Sequence, residues 1–164
     1  MSSPLFVIDA NIFMEASRRY YAFDIAPGFW SALSQSALLG HIVSIDHVEK
    51  EIARGKDELA TWCEANFSDY FNSTDDAGVV SRYRDVVNWV QSQDQFFDFA
   101  KADFMSSADG WVVAYALHLG ATVVTHEVYS KDAKKTVPMP NICKALGVPV
   151  IDTFIMMRRL GINL

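Results

Sequence analysis

The strongest constraint on the fold is an apolar segment, residues 5–8, that ends in the carboxylate of Asp9. A continuous apolar run of this length predicts a strand buried on both faces, as in a parallel sheet. The carboxyl edge of such a sheet is where open α/β proteins bind their ligands. Two interpretations of Asp9 follow. It caps a helix that begins near Ile12, a role that Asn11 can also fill, or it belongs to a metal or acid/base site.

Downstream of this segment the chain alternates short β-branched stretches with longer stretches of helical periodicity. Further strands are predicted at residues 41–45, 121–125 and 148–151. Helices are predicted at residues 12–21, 28–39, 56–71, 75–93 and 141–146, with others that begin near residues 46, 106 and 152. Gly40, Gly120 and Gly147 are predicted to end the helices before them, and Asp46 to cap the helix after it. This alternation predicts a parallel sheet covered by helices on both faces.

The bulk composition is typical of one soluble domain spanning residues 1–164. With 51% hydrophobic and 21% charged residues, a chain of this length can bury a core without disulfides or a structural metal. Cys63 and Cys143 are far apart and lack neighbours at zinc-ligand spacing, so both are predicted to be small core residues. No run approaches the ~20 apolar residues of a membrane span, and residues 1–4 lack the basic region of a signal peptide. A cytoplasmic location without membrane attachment is therefore expected.

The formal net charge of −6 restricts the mode of nucleic-acid binding. It argues against a broadly basic protein that binds nucleic acid mainly by counterion release. It is compatible with an acidic metal site that engages nucleic acid only locally.

Three further acids fall at positions that a parallel sheet would bring toward Asp9. Glu51 lies one turn into the helix after the second strand, Asp109 starts the helix before the third, and Glu127 follows the third. Strand ends and the starts of the helices after them share one end of a parallel sheet, which is compatible with a single pocket. Four carboxylates in one pocket repel one another, so their pKa values rise or a cation neutralises them. Magnesium and manganese prefer such ligands, and carboxylate clusters of this kind assist phosphodiester hydrolysis.

In this order the motifs resemble the PIN-domain ribonucleases, a family that includes the toxin components of toxin/antitoxin pairs. The resemblance is carried by Val7-Ile8-Asp9-Ala10-Asn11, Val48-Glu49-Lys50-Glu51-Ile52, Ala108-Asp109, Ala114-Tyr115-Ala116, Gly120, Val124-Thr125 and Glu127. It spans nearly the whole chain. The separation of Asp109 and Glu127 (127 − 109 = 18 positions) suits the helix, strand and loop that the family places there.

The resemblance implies a PIN-like three-layer α/β/α sandwich with a short, mainly parallel central sheet, and endoribonuclease activity with Mg2+ or Mn2+. The catalytic residues, which would bind the metal directly or through water, would be Asp9, Glu51, Asp109 and Glu127. Asn11 and Thr125 would support them, Asn11 by hydrogen bonding to Asp9 or to a metal-bound water. The following basic residues would contact RNA phosphates, with a solvated charged face as their alternative: Arg18, Arg19, Lys131, Lys134 and Lys135.

The same resemblance implies two partners. One is the RNA substrate, and the other is a small antitoxin protein that neutralises the toxin. A homodimer is compatible with it.

One acidic position departs from the family pattern. Many such proteins carry Asp after a Thr-Asn pair, whereas here Glu127 follows Thr125-His126. The longer side chain of Glu127 can still reach a metal, directly or through water.

The choice of the other acids also has alternatives. Glu49 competes with Glu51, which we prefer because an aliphatic residue follows it, as in the family pattern. Asp103 competes with Asp109 and is ranked lower because it precedes the predicted helix start.

Two other functions compete with the ribonuclease. A phosphatase of the haloacid dehalogenase type would use Asp9 as a phosphorylated nucleophile, but the second Asp that usually follows two residues later is Asn11 here. The other alternative is a catalytically degenerate domain that binds a partner or RNA. It is favoured by the presence of Glu127 where the family pattern has Asp.

Overall fold

The structure, a computed structural model, describes residues 5–164 and consists of a parallel sheet between two layers of helices. The strands are β1 (Phe6–Ile8), β2 (Ile42–Ile45), β3 (Phe71–Asn72), β4 (Thr122–Val124) and β5 (Val150–Ile151). They are ordered β3-β2-β1-β4-β5, and every neighbouring pair is parallel. The predicted α/β class and PIN-like three-layer architecture are confirmed. Residues 1–4, where the sequence predicts no signal peptide, lie outside the described residues.

The helices connect the strands in the crossover manner that a parallel sheet requires. They are α1 (Ala10–Glu15), α2 (Pro27–Leu38), α3 (Asp46–Arg54), α4 (Glu58–Asn66), α5 (Ala77–Ser92), α6 (Asp98–Met105), α7 (Asp109–Leu119), α8 (Met139–Leu146) and α9 (Thr153–Leu160). A π-helical turn, Ala16–Tyr20, extends α1, and a 3-10 turn, Ser68–Tyr70, precedes β3. In the part of the chain that the structure describes, no helix has both the length and the apolar character of a membrane span.

The central strand β1 is buried completely, as the apolar run predicts. Phe6, Val7 and Ile8 have no exposed surface, because strands lie on both sides of β1 and helices cover its faces. Cys63 and Cys143 are free thiols in the core, as expected. Burial raises the pKa of each thiol to about 12, so neither is a thiolate at neutral pH.

The glycines behave as the sequence predicts. Gly120 and Gly147 close α7 and α8 in the left-handed conformation, with φ of 67° and 77°. Gly40, just past α2, has a φ of 84°. Each therefore stops its helix close to the start of the next strand.

Other local predictions were wrong. The first helix begins at Ala10, two residues earlier than expected, because the Asp9 side chain accepts a hydrogen bond from the Ala10 amide. Asp46 is the first residue of α3 and not its cap. Its carboxylate instead receives hydrogen bonds from the amide and the hydroxyl of Thr74, which tie α3 to the segment after β3.

The middle of the chain differs most from expectation. The helix predicted over residues 56–71 ends at Asn66, and the strand Phe71–Asn72 follows it and pairs with β2. The sequence did not predict α6, so Asp103 lies inside a helix and not in the loop expected there.

Gly110 allows α7 to pack closely against its neighbours. A Cβ added at this buried residue would lie 2.9 Å from a ring carbon of Tyr83 and 3.2 Å from the ring of Phe104. We expect Gly110→Ala to destabilise the fold by about 1–3 kcal/mol, the usual range for overpacking, despite the better helix propensity of alanine. Thermal unfolding measures this. Gly28→Ala is the control, since its Cβ would meet Leu164 at an ordinary 3.7 Å, and an equal melting temperature for both variants would contradict the packing argument.

Candidate metal centre

The sheet topology brings Asp9 and Glu127 to the same edge. β1 and β4 are neighbours, with Ile8 paired to Val124, and the Asp9 amide donates a hydrogen bond of 3.1 Å to the Val124 carbonyl. Glu127 follows β4 after Thr125 and His126. The two acids therefore both leave the carboxyl ends of the two central strands, where open parallel sheets bind ligands.

The structure shows one of the two roles that the sequence allows for Asp9, that of a helix cap. Its side chain caps α1 by accepting a hydrogen bond of 2.7 Å from the Ala10 amide. Its second oxygen accepts a bond of 3.0 Å from the Thr125 hydroxyl. The residue is only 3% exposed, so its carboxylate is largely removed from solvent but is held in a fixed orientation.

The Thr125 hydroxyl connects three residues of the site. It donates to Asp9 and accepts from the Asn11 amide group at 3.1 Å and from the Glu127 backbone N–H at 3.2 Å. A hydroxyl has one donor and two acceptor positions, so Thr125 uses all three. Asn11 also accepts a bond of 3.2 Å from the His126 amide. Asn11 and Thr125 thus fix the loop after β4 against the start of α1.

Glu51 and Asp109 meet at the start of α7. A Glu51 oxygen accepts a bond of 2.8 Å from the Ala108 amide, directly before Asp109. An anion is stabilised at a helix N-terminus by the free amides and the helix dipole. Glu49 instead lines a separate cavity beside Cys63, so Glu51 and not Glu49 is directed toward α7.

The Glu127 carboxylate is anchored in a similar way at the start of α8. One of its oxygens accepts a bond of 3.2 Å from the Met139 amide. Burial raises the pKa of Glu127, and this hydrogen bond partly opposes the rise. Glu127 is one methylene longer than the Asp expected from the resemblance. Its carboxylate, at the end of this longer side chain, is hydrogen-bonded to the protein.

The charges of neighbouring acids contribute to raised pKa values of Asp9 and Asp109. Burial, followed by the charges of Asp9, Glu127 and Glu51, raises the pKa of Asp109 to about 8. Burial and then the charge of Glu127 raise the pKa of Asp9 to about 7, against the lowering effect of its hydrogen bonds to Thr125 and Ala10. Among residues 5–164, no Lys or Arg forms an ion pair with any of the four. No ion pair among the described residues therefore neutralises these carboxylates.

The donor set fits a hard divalent cation that keeps part of its water shell. Within the described residues, no group of three or more His, Cys, Asp or Glu side chains is arranged to hold a metal ion. Contacts nevertheless bring the acids close together, because Glu51 accepts from the amide next to Asp109, and Asp109 and Glu127 line one cleft. Magnesium usually retains several waters and takes only one or two protein carboxylates. Oxygen-only donors of this kind match magnesium or manganese better than a softer metal.

The predicted basic residues divide into two groups. Lys135 lines a cleft of about 180 Å³ together with Asp109 and Glu127, and Lys134 lines the adjoining cavity. Arg18 and Arg19 lie on the π-helical turn after α1, where Arg19 forms an exposed ion pair of 3.4 Å with Glu15.

The cleft also contains residues that the sequence did not assign to the site. Ser107 and Thr136 line it, and the Ser107 hydroxyl accepts a bond of 3.3 Å from the Asp109 amide. In the sequence, the Ser106-Ser107 pair indicated only the start of a helix. Its neighbouring residues contain no motif that predicts a position of Ser107 beside the acids. Asp103 lines the cleft too, but it is exposed, consistent with its lower rank.

This architecture defines a PIN-like fold with an acidic cluster at the carboxyl edge of its sheet. The crystal structure of FitAcB from Neisseria gonorrhoeae is similar, with a TM-score of 0.56 over 90% of this chain and 96% of that one. Only 16% of the aligned residues are identical, so the similarity concerns the fold. The chain belongs to the family described as Domain of unknown function (DUF4411), whose model matches residues 6–164. A comparison with curated proteins finds no match.

Proposed function

We propose that the protein is a metal-dependent endoribonuclease that hydrolyses RNA phosphodiester bonds. The observation that carries the proposal is a group of four carboxylates, with Asp9 buried and the other three half-buried, at the ligand-binding edge of a PIN-like sheet. Among the described residues, none of the four forms an ion pair with a lysine or an arginine. Burying so much like charge is costly unless a bound cation compensates it. The order of the motifs in the sequence, which resembles the PIN-domain ribonucleases, supports the same reaction.

The hydrogen bonds suggest how the acids share the metal, Mg2+ or Mn2+. One carboxylate oxygen of Glu51 and one of Glu127 accept a hydrogen bond from a backbone amide, whereas the Asp109 carboxylate has no such partner among the described residues. We therefore assign direct binding to Asp109 and water-mediated binding to Glu51 and Glu127. Both oxygens of Asp9 accept hydrogen bonds, from Ala10 and from Thr125, and we assign direct binding to it on the resemblance of its motif to the PIN-domain ribonucleases. When bound, the ion would lower the pKa of a coordinated water and neutralise charge on the phosphate.

The other side chains would orient these groups and the substrate. Thr125 and Asn11 hold Asp9 and the loop of Glu127 in one arrangement, so the acids need little reorganisation when the cation binds. Lys135 lies in the same cleft as Asp109 and Glu127 and is placed to contact an RNA phosphate beside the cleaved bond. Lys131 and Lys134 would continue this contact along the loop, whereas Arg18 and Arg19 would contact RNA farther from the cleft.

The biological role that we propose is that of the toxin in a toxin/antitoxin pair. The ordered motifs resemble a family that includes such toxins, and the PIN-like fold is compatible with them. A small antitoxin protein would then be the natural partner. Binding of purified protein to the product of the adjacent reading frame, measured by co-purification, tests this part separately from catalysis.

Two alternatives remain as outcomes of the catalytic test. A degenerate RNA- or partner-binding domain would account for the fact that no three His, Cys, Asp or Glu side chains among the described residues are arranged to hold a metal ion. The phosphatase has less support, because the Asn11 side chain is engaged with Thr125 and His126 and supplies no general acid.

The direct test is cleavage of a panel of structured and unstructured RNAs by the purified protein, with manganese present. We expect cleavage by the wild type and none above background by Asp9→Asn. The wild type should lose activity in EDTA and regain it when manganese is restored. A folded wild type that cleaves no faster than Asp9→Asn would contradict the proposal and favour the binding domain.

Thr125 provides a separate prediction, because it supports the site without being a ligand. Thr125→Val removes a hydroxyl that binds Asp9, Asn11 and the Glu127 amide, so we expect activity to fall about 10–100-fold, as when other supports of metal ligands are lost. Thr125→Ser keeps the hydroxyl and should retain most activity. Equal activity of the Val and Ser variants would show that the hydroxyl is not needed.

A further inference from the structure

A separate cavity of about 380 Å³ opens beside the loop that follows Glu127. Two aromatic side chains, Trp89 and Tyr129, line it together with two lysines, Lys131 and Lys144. Its volume is within the range of pockets that bind small organic groups. Tyr129 is 44% exposed, and the Lys144 ammonium lies 4.5 Å from the centre of its ring. An exposed aromatic ring and positive charge thus lie at the same place, with Lys144 over one face of the Tyr129 ring.

The loop that carries Tyr129 is fixed to the rest of the domain. The Asn141 side chain both accepts from the Ser130 amide, at 3.0 Å, and donates to the Ser130 carbonyl, at 2.8 Å. The Gln95 side-chain amide donates to the carbonyls of Lys131 and Ala133, at 3.0 and 2.8 Å. These bonds hold the loop against α8 and the segment before α6. A ligand would therefore meet an ordered surface and would not have to order the loop itself.

The cavity is connected to the metal centre along this loop. A neighbouring cavity of about 570 Å³ is lined by Glu127, Ser130, Lys134 and Lys135, among others. Residues 128–137 contain three lysines and one acid, Asp132, in a chain whose net charge is −6. Tyr129 follows Glu127 by two residues, which span at most about 7 Å. One flexible polyanion can therefore reach the acids and the aromatic cavity together.

We propose that the Trp89–Tyr129 cavity binds an unpaired nucleotide of the RNA strand, next to the nucleotide whose phosphate occupies the metal centre. The base would stack on an aromatic ring, and Lys131 and Lys144 would contact the flanking phosphates. This inference rests on the proposed ribonuclease function and adds to it a binding site for one unpaired nucleotide, outside the metal centre. In a duplex the bases are paired and stacked inside, so they are not free to enter such a cavity.

A nucleotide fits this site better than an acidic peptide does. A peptide carboxylate would satisfy the lysines but would leave the two aromatic faces without a flat partner. A nucleotide uses both features, since each base has a face for stacking and each phosphate has a charge for lysine. Lys134 and Lys135 line the neighbouring cavity, so positive charge for further phosphates is present on the side of the acids as well.

Tyr129 is the best residue for a test, because it is exposed enough to be replaced without disturbing the core. The protein used for binding is the full chain carrying Asp109→Asn, with magnesium, so that the RNA is not cleaved. Its affinity for a fluorescent single-stranded RNA of about 12 nucleotides is measured by anisotropy. We expect Tyr129→Ala to raise the Kd at least about fivefold, the lower end of the effect of losing one stacked base. Tyr129→Phe keeps the ring and should bind like its parent.

The controls separate this site from general effects on binding. Phe154→Ala removes an equally exposed aromatic ring that does not line the cavity, so it should leave the Kd unchanged. A duplex of the same sequence should bind more weakly than the single strand and should not respond to Tyr129→Ala. In the otherwise wild-type protein, Tyr129→Ala should raise KM for cleavage while kcat changes little, since the residue does not touch the acids.

The outcomes distinguish this inference from the proposed function. Cleavage by the wild type, with the same Kd and KM for Tyr129→Ala, would overturn the nucleotide site and leave the ribonuclease intact. Absence of cleavage, with RNA binding that still depends on Tyr129, would support the site and overturn the ribonuclease. Failure of the parent protein to bind single-stranded RNA, or equal loss of binding in Phe154→Ala, would also overturn the nucleotide site.

Discussion

Asp109→Asn should reduce RNA cleavage by more than about 100-fold. Loss of a residue that only supports a metal ligand typically lowers activity about 10–100-fold, and Asp109 is assigned as a ligand itself. The substitution keeps the size and the hydrogen-bonding capacity of the side chain but removes the charge that would hold the cation. The measurement is kcat/KM for a cleaved RNA at saturating manganese, together with a thermal melt to show that the variant is folded.

Asp103→Asn is the matched control for this experiment. Asp103 lines the same cleft as Asp109 but is exposed, and its charge is not among those that raise the pKa of Asp109. Its loss should change activity only slightly. A second matched pair, Glu51→Gln and Glu49→Gln, tests the choice between the two glutamates. Equal losses within either pair would contradict the assignment of the site.

The second large effect concerns stability and its dependence on metal and pH. A cation that binds the folded state alone at 100 times its Kd adds about 2.7 kcal/mol to the free energy of unfolding. For a domain of this size, that corresponds to a rise of about 5–10 °C in melting temperature. The rise should be much smaller in Asp9→Asn. Equal shifts in the two proteins would indicate nonspecific ion effects.

The pH dependence of the metal-free protein has a definite sign. In the folded state the pKa values of Asp9 and Asp109 are raised to about 7 and about 8, whereas both are near 4 in the unfolded chain. The folded protein therefore binds more protons between these limits, and stability falls as the pH rises. The contribution is fully present below pH ~4 and is lost by pH ~8.

This decrease should be visible as a difference between two proteins measured without metal. The wild type should lose melting temperature relative to Asp109→Asn as the pH is raised from about 4 to about 8. Added manganese should restore more stability at the upper end of this range, where it no longer competes with protons. Parallel pH profiles for the two proteins would show that Asp109 does not titrate in the folded state as described.

The sequence was sufficient for the features that depend on local pattern. The apolar run before Asp9 is buried as β1, and the left-handed glycines close α7 and α8. Parallel-sheet geometry then predicted that Asp9 and Glu127 leave strands at the same end of the sheet, and the structure adds that the two strands are neighbours. The structure shows this arrangement.

Short elements were harder to predict because their patterns resemble those of their neighbours. The strand β3 has only two residues, and Phe67 and Phe71 have helical spacing, so the segment looked like a continuation of α4. The sequence analysis did not predict α6, although its buried residues Ala100 and Phe104 have the i, i+4 spacing of a helix face.

The details of the candidate site depend on contacts that only the folded chain creates. The hydrogen bonds from Ala108 to Glu51 and from Met139 to Glu127 join distant segments, and they distinguish these acids from Asp109. The Trp89–Tyr129 cavity is a similar case, because its two rings are 40 positions apart (129 − 89 = 40). Neither arrangement leaves a periodic or spaced signal in the sequence.

The central claim is that the four carboxylates form one metal centre, and anomalous diffraction from crystals soaked in manganese tests it most directly. The account predicts an anomalous peak between Asp9 and Asp109, with Glu51 and Glu127 linked to it through water. The peak should be absent from crystals of Asp109→Asn prepared in the same way. If well-diffracting wild-type crystals show manganese at other positions and no peak among these four acids, the four carboxylates do not form a metal centre.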